Sequence, residues 1–149
     1  MNPFDLKSVL LAKHAQHVAL VHFPIALIFV GVAFDLLSLR KENLALLRAA
    51  YYTVIAAAIA AVPTVATGIL AWQLLLEGKT PRGNLKLHML LAFFSSVLIW
   101  LVCGLHIREQ RKPQASSPTL RLSVEVLAVA LTLLTAHVGG FVSGVNGPA

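Results

Sequence analysis

Long apolar stretches alternate with short charged ones along the whole chain. The stretches run from His14 to Leu39, broken only by Asp35; from Ala49 to Leu76; from Leu87 to Ile107; and from Leu122 to the C-terminus, broken only by Glu125. A helix needs about 20 apolar residues to cross the hydrocarbon core of a bilayer, so each stretch can cross once. The pattern predicts an all-α integral membrane protein, a four-helix up-down bundle within one domain over residues 1–149, with spans at about 18–39, 49–76, 86–107 and 121–143. Ahead of the first span, Asn2-Pro3 reads as a helix start, and Phe4, Leu6, Val9, Leu10 and Leu11 beside Lys7 and Lys13 predict a short amphipathic segment on the membrane surface. No small-residue cleavage site follows the first span, so it is expected to stay as an anchor. No internal repeat stands out.

Composition supports this reading. Of 149 residues, 58% are hydrophobic and 12% charged, with a mean hydropathy of +0.80, where a soluble domain carries about 25% charged residues. The single Cys103 excludes a disulfide scaffold or zinc ribbon and reads as an inert buried thiol. The net charge of +6 is a topology signal, and a nucleic-acid partner is not expected. Lys7, Lys13, Lys79, Arg82 and Lys86 fall on one side, 5 in all, against 7 on the other: Arg40, Lys41, Arg48, Arg108, Arg111, Lys112 and Arg121. The positive-inside rule then predicts cytoplasmic first and third loops, with both termini outside.

The histidines carry the candidate chemistry, since an ionisable residue inside a membrane is costly and marks a candidate site. There are six. In the up-down path His22 near the start of span one, His88 near the start of span three and His137 late in span four are expected at one depth near the outer leaflet. Spans one and three run parallel across the bundle diagonal. His22 and His88 therefore enter from opposite walls, the arrangement of a bis-histidine b-type haem, with His137 as substitute ligand or neighbour. His17 is expected to cover a propionate or hold a neighbouring imidazole. Ala57, Ala61, Thr64 and Gly68 form a small-residue strip that leaves room for a flat macrocycle or for close helix contact, and Gly140 with Gly144 is equally a packing motif. A divalent metal on His22 and His88, with His137, is chemically possible, but no carboxylate lies at that depth. His14 reads as a surface residue and His106 as interfacial.

Asp35 and Glu125 read as solvated helix-end carboxylates beside Arg40 and Arg121, with a proton-accessible pair as the alternative. Pro24 and Pro63 are expected to kink their helices and free the carbonyls of Leu20 and Ile59. Trp72 and Trp100 read as belt or packing residues.

His17-Val-Ala-Leu-Val-His22-Phe-Pro24-Ile-Ala-Leu followed by Asp35-Leu-Leu, then Ala66-Thr-Gly68, His88, and His137-Val-Gly139-Gly140-Phe-Val, resembles the DUF2231 family of small bacterial four-span membrane proteins. The tail beyond Gly140 departs from the family's Val-Tyr-rich ending. Family relatives joined to Rieske or cytochrome c modules imply a place in membrane electron transfer, in the bacterial inner membrane, with any such redox partner a separate subunit. Resemblance and histidine placement together predict a haem-binding electron-transfer subunit without substrate chemistry of its own. The alternative is a non-catalytic membrane subunit of a larger complex, its histidines making packing, pigment or metal contacts.

Overall fold

The computed structural model describes residues 15–41, 43–75, 80–112 and 117–144. The amphipathic segment expected before the first span, and His14, lie outside these residues. Four helices make up the described chain: α1 (Ala15–Lys41), α2 (Leu44–Leu75), α3 (Gly83–Arg111) and α4 (Pro118–Val142). All four are long and apolar enough to cross a membrane. They extend past the charge-free gaps because a helix need not end where the hydrocarbon does; α2 already includes Arg48.

Local chemistry sets the ends. Asn43 turns the chain between α1 and α2, its Oδ1 accepting from Ala45 N at 2.9 Å and Leu46 N at 3.3 Å, which satisfies two donors that the first helical turn leaves over. Pro118 opens α4 after Ser117, where a missing N–H costs nothing. Pro24 and Pro63 lie inside α1 and α2. Thr64 Oγ1 of α2 donates to the Ala60 carbonyl of its own helix at 2.9 Å and lies 3.3 Å from the Leu20 carbonyl that Pro24 frees, so its one proton is shared between the two.

The outward faces carry large apolar side chains, among them Phe23, Phe29, Ile59, Phe93, Phe94 and Leu127, all exposed to the surrounding lipid. Inside lie Ile28, Val32, Val54, Ala57, Ala58, Ile99, Val102 and Ala128. The alanines matter because lipid chains are as apolar as the core, so helices associate in a membrane through close packing more than through water exclusion. The helices pair as hairpins, α1 with α2 and α3 with α4, and the hairpins meet along α2/α3 and α1/α4. Trp100 of α3 donates from Nε1 to the Ala58 carbonyl of α2 at 3.0 Å, pinning the first of these seams.

The two hairpins are copies of one another, a repeat that does not stand out in the apolar pattern. At a constant offset of 71 residues and without a gap, His17 corresponds to His88, Leu20 to Leu91, Phe23 to Phe94, Ile28 to Ile99, Ala57 to Ala128, Thr64 to Thr135 and Gly68 to Gly139. Burial repeats with the same offset: Pro24 and Ser95, Asp35 and His106, Ala50 and Arg121, Val54 and Glu125, and Ala61 and Thr132 are all buried. The chain therefore reads as one helical hairpin repeated, matched in residue type and burial at the same offset.

Candidate functional site

The end of the bundle at the α1–α2 and α3–α4 connections holds a buried ionic cluster. Its position on α4 follows from spacing: Arg121, Glu125, Ala128, Thr132, Thr135 and Val138 are the buried stripe of that helix, steps of three and four that keep one face inward. Most of that stripe is polar, an unusual choice for a membrane core. Arg121 reaches across to α1, donating from Nε to Asp35 Oδ2 at 3.0 Å and from Nη2 to Asp35 Oδ1 at 3.1 Å, a two-pronged grip on one carboxylate. Its Nη1 pairs with Glu109 of α3, and its Nε lies 3.7 Å from Glu125 Oε1. Glu125 Oε1 in turn stands 2.6 Å from Nε2 of His106 on α3. Asp35 and Glu125 are fully enclosed, and His106 and Arg121 are 3% and 5% exposed, so water does little to screen these pairs. Glu125 Oε2 is buried without a hydrogen-bond partner among the described residues.

This placement corrects three expectations. Asp35 and Glu125 are not solvated helix-end carboxylates, and His106 is not interfacial; all three point into the bundle and meet there. One carboxylate oxygen from each acid and one nitrogen of His106 lie within 4.8 Å of one another, a spacing compatible with a divalent cation. The Arg121 guanidinium already occupies both Asp35 oxygens, however, and a second cation beside it would face direct repulsion. The donor set suits a proton better than a metal. Arg121 also leaves the tally of loop charges, since it is spent inside the bundle, and the margin of 7 against 5 narrows to 6 against 5.

At the opposite end the histidines form a different layer. His17 Nδ1 donates to the Thr64 carbonyl at 3.0 Å, and His88 Nδ1 donates to the Thr135 carbonyl at 3.1 Å. In each case the partner lies 47 positions on, and in each case a glycine one turn further along flanks the ring. A Cβ on Gly68 would stand 2.9 Å from His17 Cε1, and one on Gly139 would stand 3.0 Å from His88 Cε1. Glycine lets the imidazole lie this close to the helix without shifting. Gly139 is thus the residue beside the ring; Gly140 sits about 100° further round the helix. His22 is exposed, two positions before buried Pro24 and on the other side of α1. His137 is exposed as well, with its ring edge-on to Phe141 at 5.2 Å between centroids. Of the three histidines expected at one depth, His22 and His137 are exposed and His88 is half-buried. The position in α1 equivalent to His88 is His17, and the equivalent of His22 is Phe93.

A family model described as "Predicted membrane protein (DUF2231)" matches residues 13–147. The chain belongs to the DUF2231 family. No curated protein and no solved structure matches it.

The sequence offered Asp35 and Glu125 as a pair only in the alternative, and it left Arg121 and His106 of this DUF2231 protein out of the cluster because each was judged by its distance from a helix end. Two signals were present. The polar residues of α4 fall on one helical stripe, and Asp35 and His106 occupy the same position of the two hairpins.

Proposed function

We propose that this DUF2231 protein is a membrane-embedded electron-transfer subunit that holds a b-type haem at its histidine end, with His17 and His88 as the ligand pair. The observation that carries the reading is the duplicated unit of imidazole, threonine carbonyl and glycine. A carbonyl oxygen has no proton to give, so Nδ1 of each ring must carry one, and the neutral ring then keeps its lone pair on Nε2. That is the form in which histidine ligates iron, and a backbone carbonyl on the other nitrogen is its usual support. The donor set thus fits the group. Bound haem supplies one-electron chemistry; the chain supplies ring orientation through Thr64 and Thr135, and an apolar surround. The residual excess of Lys and Arg at the ionic end favours that end as cytoplasmic, which sets the histidine end on the outer side of a bacterial inner membrane, facing a cytochrome or Rieske partner.

The test is the reduced-minus-oxidised spectrum of protein expressed with added haem. Wild type, His22→Ala and His137→Ala should give a b-type spectrum; His17→Ala and His88→Ala should lose it while keeping their helical content. A colourless wild type overturns the reading. One observation favours a second: His22 faces lipid on the outside of α1, a costly position that contact with another membrane subunit would relieve. As a non-catalytic subunit of a larger complex, the chain would crosslink to a partner through a photoreactive residue at position 22. No adduct above the mass of the chain would remove that reading.

A further inference from the structure

We propose that Glu125 and His106 form an exchangeable-proton site inside the bundle, built by the second hairpin and completed by Asp35 of the first. The inference is independent of the haem reading and rests on charge, geometry and an orphaned oxygen. Three elements face the site with ionisable groups: α1 brings Asp35, α3 brings His106 and Glu109, and α4 brings Arg121 and Glu125. The fourth, α2, presents buried Ala50, Val54 and Ala57 and adds no charge. Glu109 is 25% exposed and meets the surface side of Arg121.

Among the enclosed groups two carboxylates face a single guanidinium. A net charge sealed from water is expensive, and it neutralises by taking up a proton. One proton balances the set, and the 2.6 Å contact between His106 Nε2 and Glu125 Oε1 needs a proton on one of the two atoms. Glu125 Oε2 supplies the second, independent sign: it is a fully buried acceptor with no donor among the described residues. Protonation makes it a donor, on a carboxyl group of which one oxygen lies within 4.8 Å of an Asp35 oxygen. Two turns along the same face of α4, Thr132 Oγ1 is likewise buried and unpartnered, and beyond it Thr135 Oγ1 reaches Ser95 Oγ at 3.4 Å. Glu125, Thr132 and Thr135 lie on the one buried stripe of α4, with Ala128 between the first two. The ligand is a proton, moved between solvent and the Glu125–His106 pair with no bond change other than its own transfer.

Infrared titration of the full chain in nanodiscs tests this between about pH 4 and pH 9, the range in which carboxyl and imidazole groups exchange. Wild type should show one buried-carboxyl C=O band that titrates reversibly, absent in Glu125→Gln and retained in Asp35→Asn. Should Glu125→Gln fail to fold, His106→Gln decides: it should keep the band and move its midpoint by about one pH unit or more, a tenfold change in proton affinity. A cluster with no titrating carboxyl band, or a midpoint unmoved in His106→Gln, overturns the proposal. So does zinc binding that abolishes the titration at equimolar metal, which would make the site a cation site.

Discussion

Arg121 is the residue on which the ionic end depends, and replacing it should cost more than replacing its main partner. In Arg121→Met the Asp35 carboxylate loses both side-chain donors, at 3.0 and 3.1 Å, in a place where it is fully enclosed. The Ser38 hydroxyl is no substitute, since it donates to the Asp35 backbone carbonyl at 2.7 Å. Stranding one partner of a buried ion pair costs about 3–5 kcal/mol. The reverse change, Asp35→Leu, strands Arg121 less, because Glu109 and Glu125 still contact it; about 1–3 kcal/mol is expected, the cost of losing hydrogen bonds to a charged group. The double variant is the sharper test. Without Asp35 there is no orphaned carboxylate in α1, and Glu125 keeps His106, so adding Asp35→Leu to Arg121→Met should recover about 2 kcal/mol. Reversible unfolding in mixed micelles, followed by far-ultraviolet circular dichroism, reads all three. A double variant as unstable as Arg121→Met, or equal losses in the two single variants, would refute the reasoning.

Gly139→Ala should forfeit the gain of about 1 kcal/mol that alanine brings to a helix interior, because its Cβ would stand 3.0 Å from the His88 ring; the same unfolding assay reads it. Thr64→Val should cost about 0.5–1 kcal/mol, since the hydroxyl that Leu20 loses at 3.3 Å is shared with the Ala60 carbonyl at 2.9 Å. In a Pro24→Ala background, where residue 24 regains the N–H that serves that carbonyl, the loss should shrink, and an undiminished loss would show that the threonine acts elsewhere.

The four crossings were legible because bilayer thickness imposes a length on any apolar helix, and charge-free gaps read that length directly. The interior was not, and the reason differs from residue to residue. His106 and Asp35 stand a turn or two from charged helix ends, where a linear reading assigns them to the interface; which way they face depends on the helix they pack against. His22 sits beside Pro24 and draws the eye, yet the stripe through Pro24, Ile28, Val32 and Asp35 that α1 buries passes on its other side. The repeat escaped notice because it survives at scattered packing positions such as Ile28/Ile99 and Ala57/Ala128, while polarity differs most where the charges lie.

That divergence has a physical cause. A strictly twofold layer would set like against like across the axis, carboxylate against carboxylate and guanidinium against guanidinium, and enclosed like charges repel with no water to screen them. A buried ionic layer shared between two copies must therefore be asymmetric to exist. The first hairpin contributes Asp35 and, at the positions matching Arg121 and Glu125, only Ala50 and Val54; the second contributes His106 where the first has Asp35. At the other end a neutral imidazole bonded to a carbonyl within its own hairpin carries no such penalty, and there both copies keep the same histidine, threonine and glycine. The symmetric end and the asymmetric end thus follow from one electrostatic rule, and restoring symmetry tests it: Ala50→Arg with Val54→Glu should lower stability below either single variant of the Arg121–Asp35 pair.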